Sequence, residues 1–265
     1  MLKSHFSAIW ESVADAVPEH IALIQGERRI TWRDYESRSA RLAQGLMEAG
    51  LGKHAKVGMY LYNSPEYAET NFAALKIGGV PINVNYRYLD EELFYLLENA
   101  DVEALVFHRS LGNRVARICH RLPQLKIMIS VDDGAPEDDS EEPSAAIPYE
   151  SLIAKNSGAA RITPEGDEIY MFYTGGTTGM PKGVMYPVKD FTEFFMRGFP
   201  SMIGLSPFET ADQMAVTAKQ LFDSNATVVS MSGPPLMHGT GSWLGVMFPH
   251  MLGGTSVMLE SRGLK

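Results

Sequence analysis

The chain has 265 residues, 45% hydrophobic and 21% charged, with a formal net charge of −9. That composition supplies a full globular core, and the acidic balance argues against a nucleic-acid binder, which needs a basic face. Seven acidic residues lie between Asp132 and Glu142 with no basic residue among them, so the acidity is local and the rest of the chain carries about −2.

One cysteine, Cys119, rules out an internal disulfide framework and fits a reducing compartment. Residues 1–10 carry charge and polarity where a secretory signal needs an apolar core. No apolar run reaches about 18 residues, so a cytoplasmic protein without a transmembrane segment is expected.

Residues 6–17 place Phe6, Ile9, Trp10 and Val13 on one helical face. Residues 21–24, a Gln25-Gly26 turn and residues 29–31 read as a hairpin. Thr31 with Asp34 three residues later marks a helix start of the capping-box kind, and Trp32, Tyr35, Ser39, Leu42 and Leu46 then share a face as far as Gly50. Residues 56–61 read as a strand, Ser64-Pro65-Glu66 opens a helix, and Gly78-Gly79 closes it. Glu91 and Glu92 begin a further helix with Leu93, Leu96, Leu97 and Ala100 facing inward. Strands at 104–107 and 126–131 flank a helix over 110–121. Strands alternating with helices of about a dozen residues predict an α/β fold with a largely parallel sheet.

Residues 132–148, acidic and carrying Pro136, Pro143 and Pro148, read as a loop. A boundary between that loop and Pro164 divides the chain into a first α/β lobe over 1–163 and a second over 164–265. Beyond a short strand at 168–173, helices are expected over 187–202 and 207–222, with a strand at 226–230. A turn over 233–241 carries His238, a helix runs through Trp243 to Leu252, and a last strand covers 255–259. No internal repeat is present.

The chemistry concentrates in Tyr173-Thr-Gly-Gly-Thr-Thr-Gly-Met-Pro-Lys182-Gly-Val-Met-Tyr186. Glycines free to take positive φ let backbone N–H groups converge on an anion, threonine hydroxyls add donors, and the lysine adds charge. That is a phosphate cradle between two strands at a sheet edge. Pro181 stands where a GxxxxGK[ST] loop has glycine, which disfavours a kinase or NTPase of that type. The adjacent Gly175 and Gly176 do not make a GxGxxG dinucleotide turn.

This stretch closely resembles the phosphate-binding loop of the AMP-forming adenylating enzymes, which include acyl-CoA synthetases, nonribosomal adenylation domains and firefly luciferase. Their usual pattern is Tyr-Thr-Ser-Gly-Thr-Thr-Gly-x-Pro-Lys-Gly-Val; Gly175 stands where serine is common. Ile30-Thr-Trp-Arg-Asp-Tyr35, leading into Ala40-Arg-Leu-Ala43, resembles the group's first core motif. Ala74-Leu-Lys-Ile-Gly-Gly-Val-Pro-Ile-Asn83 resembles the second, in which Lys76 receives no catalytic role. Pro235-Leu-Met-His238-Gly239 resembles the group's Pro-Leu-Phe-His-x-x-Gly.

The resemblance covers the chain end to end as the N-terminal portion of an AMP-forming acyl-CoA synthetase. It implies the N-terminal part of that enzyme's large domain, with layered, mostly parallel β-sheets and flanking helices, truncated. It also implies ATP with Mg²⁺, coenzyme A as co-substrate, and a small-molecule carboxylic acid of fatty or steroid-like kind. The acid is activated as an acyl-adenylate and then passed to the thiol. The implied phosphate site is Thr174, Gly175, Gly176, Thr177, Thr178, Gly179 and Lys182, with Thr177 on the metal. Lys182 and His238 are the implied catalytic residues. His238, Gly239 and Trp243 would line the acid site, with core packing an equal alternative for Trp243.

The group's adenine, ribose, hinge and C-terminal-lysine motifs have no counterpart up to Lys265. The expectation is therefore a fragment, inactive alone, completed by a missing C-terminal part and prone to self-association through uncovered apolar surface. Two other readings stand beside it: an adenylating enzyme that loads a carrier protein, and a non-catalytic nucleotide-binding module of the same fold.

Overall fold

The computed structural model describes residues 2–134, 142–175 and 180–259. The first apolar face forms helix α1 (Phe6–Ala16), capped by the His5 ring accepting the Ser7 amide. Strands β1 (Ile21–Gln25) and β2 (Arg28–Thr31) make the antiparallel hairpin, turned at Gly26 with a φ of 55°. Helix α2 (Trp32–Glu48) starts at Thr31, whose hydroxyl oxygen accepts the Asp34 amide while its proton goes to the Asp34 carboxylate.

The next stretch winds β3 (Lys56–Tyr60), α3 (Pro65–Lys76), β4 (Val80–Asn83), α4 (Asp90–Asn99), β5 (Val102–His108), α5 (Gly112–Ile118) and β6 (Ile127–Val131). Their strands form a wholly parallel sheet in the order β4-β3-β5-β6, with the two-residue β7 (Ile147–Pro148) at its edge. The nearly unbroken burial of β4 and β5 is what strands covered on both faces require. The short helix α6 (Tyr149–Lys155) then packs its Tyr149 hydroxyl on Glu69 at 2.6 Å.

Helix α3 is buried along its whole length even though it carries Glu66, Glu69 and Lys76. Each charge is matched. Lys76 Nζ lies 2.7 Å from Glu11 and 2.6 Å from Glu36, Arg38 lies 2.8 Å from Glu69, and Arg28 lies 2.6 Å from Glu66. Lys76 thus joins α1, α2 and α3 in the interior, and its contacts are structural.

The later part of the chain adds an antiparallel hairpin, β8 (Ile169–Thr174) and β9 (Lys182–Pro187), followed by helices α7 (Val188–Gly198) and α8 (Asp212–Asp223). Strand β10 (Val229–Met231) is shorter than expected. The helix expected through Trp243 is a π-helical segment over Thr240–Met247 that continues as α9 (Phe248–Met251). Strand β11 (Thr255–Met258) runs parallel to both β10 and β1, giving a second sheet in the order β10-β11-β1-β2. That sheet draws strands from both sides of residue 163, with Leu23 opposite Ser256.

One apolar core lies under α1, α2, α3, α7 and α9, and a smaller one fills the other side of the five-stranded sheet. At the centre of the larger core His250 is enclosed by Trp32, Tyr35 and Trp10, with ring centroids 5.0, 5.2 and 6.3 Å away.

Candidate active site

The alternation of β8 places the hairpin between the two cores. Tyr170 and Phe172 face the larger one, and Ile169, Met171 and Tyr173 the smaller. The hairpin register sets Thr174 directly opposite Lys182 at the loop end, both exposed. A hydroxyl and a cation therefore flank the entry to the glycine–threonine stretch. Gly176, Thr177, Thr178 and Gly179 lie outside the described residues.

The base of the loop is firmly held. The Tyr173 hydroxyl donates to Asn99 Oδ1 at 2.7 Å, and burial pushes its pKa up to about 12, so it remains a donor. At the other end Tyr95 donates to the Pro181 carbonyl at 3.4 Å. Gly183 is required opposite Tyr173, because a Cβ there would come within 2.9 Å of the tyrosine ring. Gly175 behaves differently from the sequence expectation: its φ is not in the left-handed region, and among the described residues a Cβ on it would meet nothing within 4 Å.

The second part of the site is the turn before the π-helical segment. The His238 amide donates to Pro235 O, and Ser242 donates back to His238 O through both its amide and its hydroxyl. Gly241 allows the turn to close, since a Cβ there would lie 2.2 Å from Pro235 O. The His238 side chain is exposed, and Gly239 sits against the Trp243 ring, where a Cβ would come within 3.3 Å. Trp243 is half-buried and packs edge-on against Phe172 of β8 and Phe191 of α7, at 5.3 and 5.2 Å. π-Helical pitch, here held over eight residues, is a common local device at functional sites, because it re-aims side chains.

A residue without a role in the sequence analysis connects the two parts. Asn83, buried at the end of β4, donates to Tyr173 O at 2.9 Å and to Met237 O at 2.8 Å, and accepts the Tyr173 amide at 2.7 Å. The signal was a lone amide closing the apolar run Val80-Pro-Ile, where a polar side chain must find partners. The structure thus brings Thr174, Gly175 and Lys182 together at the hairpin mouth and ties them through Asn83 to the turn carrying His238 and Gly239.

Mg²⁺ would need oxygen ligands beside the phosphates. Thr177, the residue the resemblance assigns to it, is outside the described residues, and among the described residues no group of three or more His, Cys, Asp or Glu is placed to hold a metal ion. No helix among the described residues is long and apolar enough to cross a membrane.

With this geometry in place, residues 10–264 match the family described as AMP-binding enzyme. The chain belongs to that family. It is 34% identical over 252 residues to a medium/long-chain-fatty-acid–CoA/3-oxocholest-4-en-26-oate–CoA ligase of Mycolicibacterium smegmatis, covering 94% of this chain and 44% of that protein. It is 36% identical over 252 residues to the medium-chain acyl-CoA ligase Mig of Mycobacterium avium, covering 89% of this chain and 44% of the relative. Among solved structures, an anthranilate CoA ligase, AuaEII, in complex with anthranoyl-AMP aligns with a TM-score of 0.74 at 20% identity, over 98% of this chain and 46% of that one. The α/β fold is therefore that of the N-terminal part of these ligases, and the chain spans less than half the length of the relatives it matches.

Proposed function

We propose that this chain carries the phosphate-binding and acid-side half of an ATP-dependent carboxylic acid–CoA ligase, acting within a polypeptide of its relatives' length. The acid is a fatty or steroid-like carboxylate, a class taken from the relatives' names. The observation that carries the reading is the joined site: a glycine–threonine loop with Lys182 at its mouth, tied by one buried amide to the turn bearing His238.

A carboxylate is already ionised at neutral pH, so its attack on the α-phosphorus of ATP, with release of pyrophosphate, needs no general base. The obstacle is an anion approaching a polyanion, and the remedy is preorganised donors and cations. Thr174, the amides from Gly175 onward and Lys182 supply them at the loop. Thr177 would hold Mg²⁺, which adds further positive charge when bound. His238 would donate to the acid's carboxylate, and Trp243 would give the acyl chain an apolar wall. Coenzyme A thiol then displaces AMP to give the thioester.

Titrating ATP with Mg²⁺ into the chain tests the reading. Lys182→Ala removes a charge-assisted contact and should weaken binding about tenfold. Equal affinity in the variant and the parent would refute the assignment of the phosphate site.

A further inference from the structure

Two asparagines stand at the C-terminal ends of neighbouring parallel strands, Asn63 just past β3 and Asn83 closing β4. Both reach out of their sheet to backbone far along the chain. The Asn83 carboxamide pairs with both the N–H and the C=O of Tyr173, as a residue on an adjacent strand would, and its second N–H goes to Met237 O. Two carbonyls from distant segments thus share one nitrogen. Asn63 Oδ1 accepts the Leu236 amide at 2.7 Å, and the Asn63 carbonyl is itself fixed by Gln25 Nε2 at 2.9 Å.

The targets are specific. Tyr173 immediately precedes Thr174, and Leu236 and Met237 immediately precede His238. Resting on the function proposed above, we infer that Asn83, seconded by Asn63, is a positioning residue that sets the His238 turn against the base of the phosphate loop. Carboxylate and nucleotide must meet in line, so the distance between these two segments decides whether the reacting atoms align. Neither an isosteric nor an apolar replacement meets the demand at position 83. Asp lacks the two donors and would set a carboxylate against two carbonyl oxygens, and Leu has neither donor nor acceptor.

The test uses the 265-residue chain, ATP with Mg²⁺ as probe, and two readouts: the dissociation constant and the ring NMR signals of His238, assigned by their loss in His238→Gln. In the parent chain ATP should bind and shift the His238 signals. Asn83→Asp touches both segments, so affinity should fall about tenfold and the His238 shift by more than half. Asn63→Ala touches only the His238 side. It should leave affinity within about twofold while reducing the shift, and its half-buried position keeps the test open if Asn83→Asp does not fold.

A residue that only cemented the fold would lower the melting temperature and leave both readouts of the folded protein unchanged. ATP binding by the parent, with a His238 response that is absent or fully kept in the folded variants, overturns the positioning role alone. A parent chain that takes up no ATP overturns the proposed function, and this inference with it.

Discussion

At the scale of single residues, the site holds glycines required by their neighbours beside one on which no described neighbour makes that demand. Gly183 and Gly241 are fixed by Tyr173 and by the Pro235 carbonyl. Among the described residues nothing lies within 4 Å of the missing Cβ of Gly175, and its φ is outside the left-handed region. No described neighbour therefore makes the departure from the serine common in this group a steric necessity. Gly175→Ser should change stability by no more than about 0.5 kcal/mol. By adding a hydroxyl donor at the loop entry it should keep or raise ATP affinity. A thermal melt paired with an ATP titration checks both, and a variant with clearly weaker nucleotide binding would contradict the reading of this position.

At the scale of elements, α3 shows how charge can be carried through a core. Its Lys76 is 2% exposed and faces Glu11 and Glu36, and burial raises the Glu11 pKa even with the lysine present. Lys76→Ala leaves both carboxylates without that cation and should cost about 3 kcal/mol in urea unfolding at neutral pH. The loss should shrink on acidification as the carboxylates take up protons; a penalty independent of pH would argue against this origin. The elements legible in the sequence were those whose signals are local: the α1 and α2 apolar faces, the Gln25-Gly26 turn, and Pro65 at the head of α3. Three features were not. Helix α6 is seven residues long and follows Pro148 without a capping side chain. The strand expected at 226–230 is present, but its bounds were not legible: β10 is three residues of an edge, Val229–Met231. The π-helical pitch around Trp243 leaves no periodicity that distinguishes it from an α-helix. Within the proposed site, the loop and His238 were candidates from the sequence because their motifs are contiguous. Asn83 could not, since its partners lie 90 and 154 residues away.

For the whole molecule, two buried histidines tie stability to pH. Burial lowers the His250 pKa from 6.5 to about 3 and the His5 pKa to about 4. The unfolded chain takes up both protons near pH 6.5, whereas the folded chain resists them until far lower. Between those limits the unfolded state holds more protons, so stability is full above about pH 6.5 and declines on acidification, by up to about 1.4 kcal/mol per pH unit for each histidine. The urea midpoint should therefore fall between about pH 7 and pH 5. His5→Asn, which preserves the capping acceptor, should reduce that slope, and an unchanged slope would exclude His5 as a contributor. The register of the four-stranded sheet has a consequence of another kind. Strand β1 leaves the ribosome well before its parallel neighbour β11; Thr255 holds the Ile21 carbonyl across 234 residues of chain. The five-stranded sheet, wound from consecutive crossovers, can close while synthesis continues. Until β11 has been made, the nascent β1–β2 hairpin must wait with its β1 edge bare, open to mispairing with another chain.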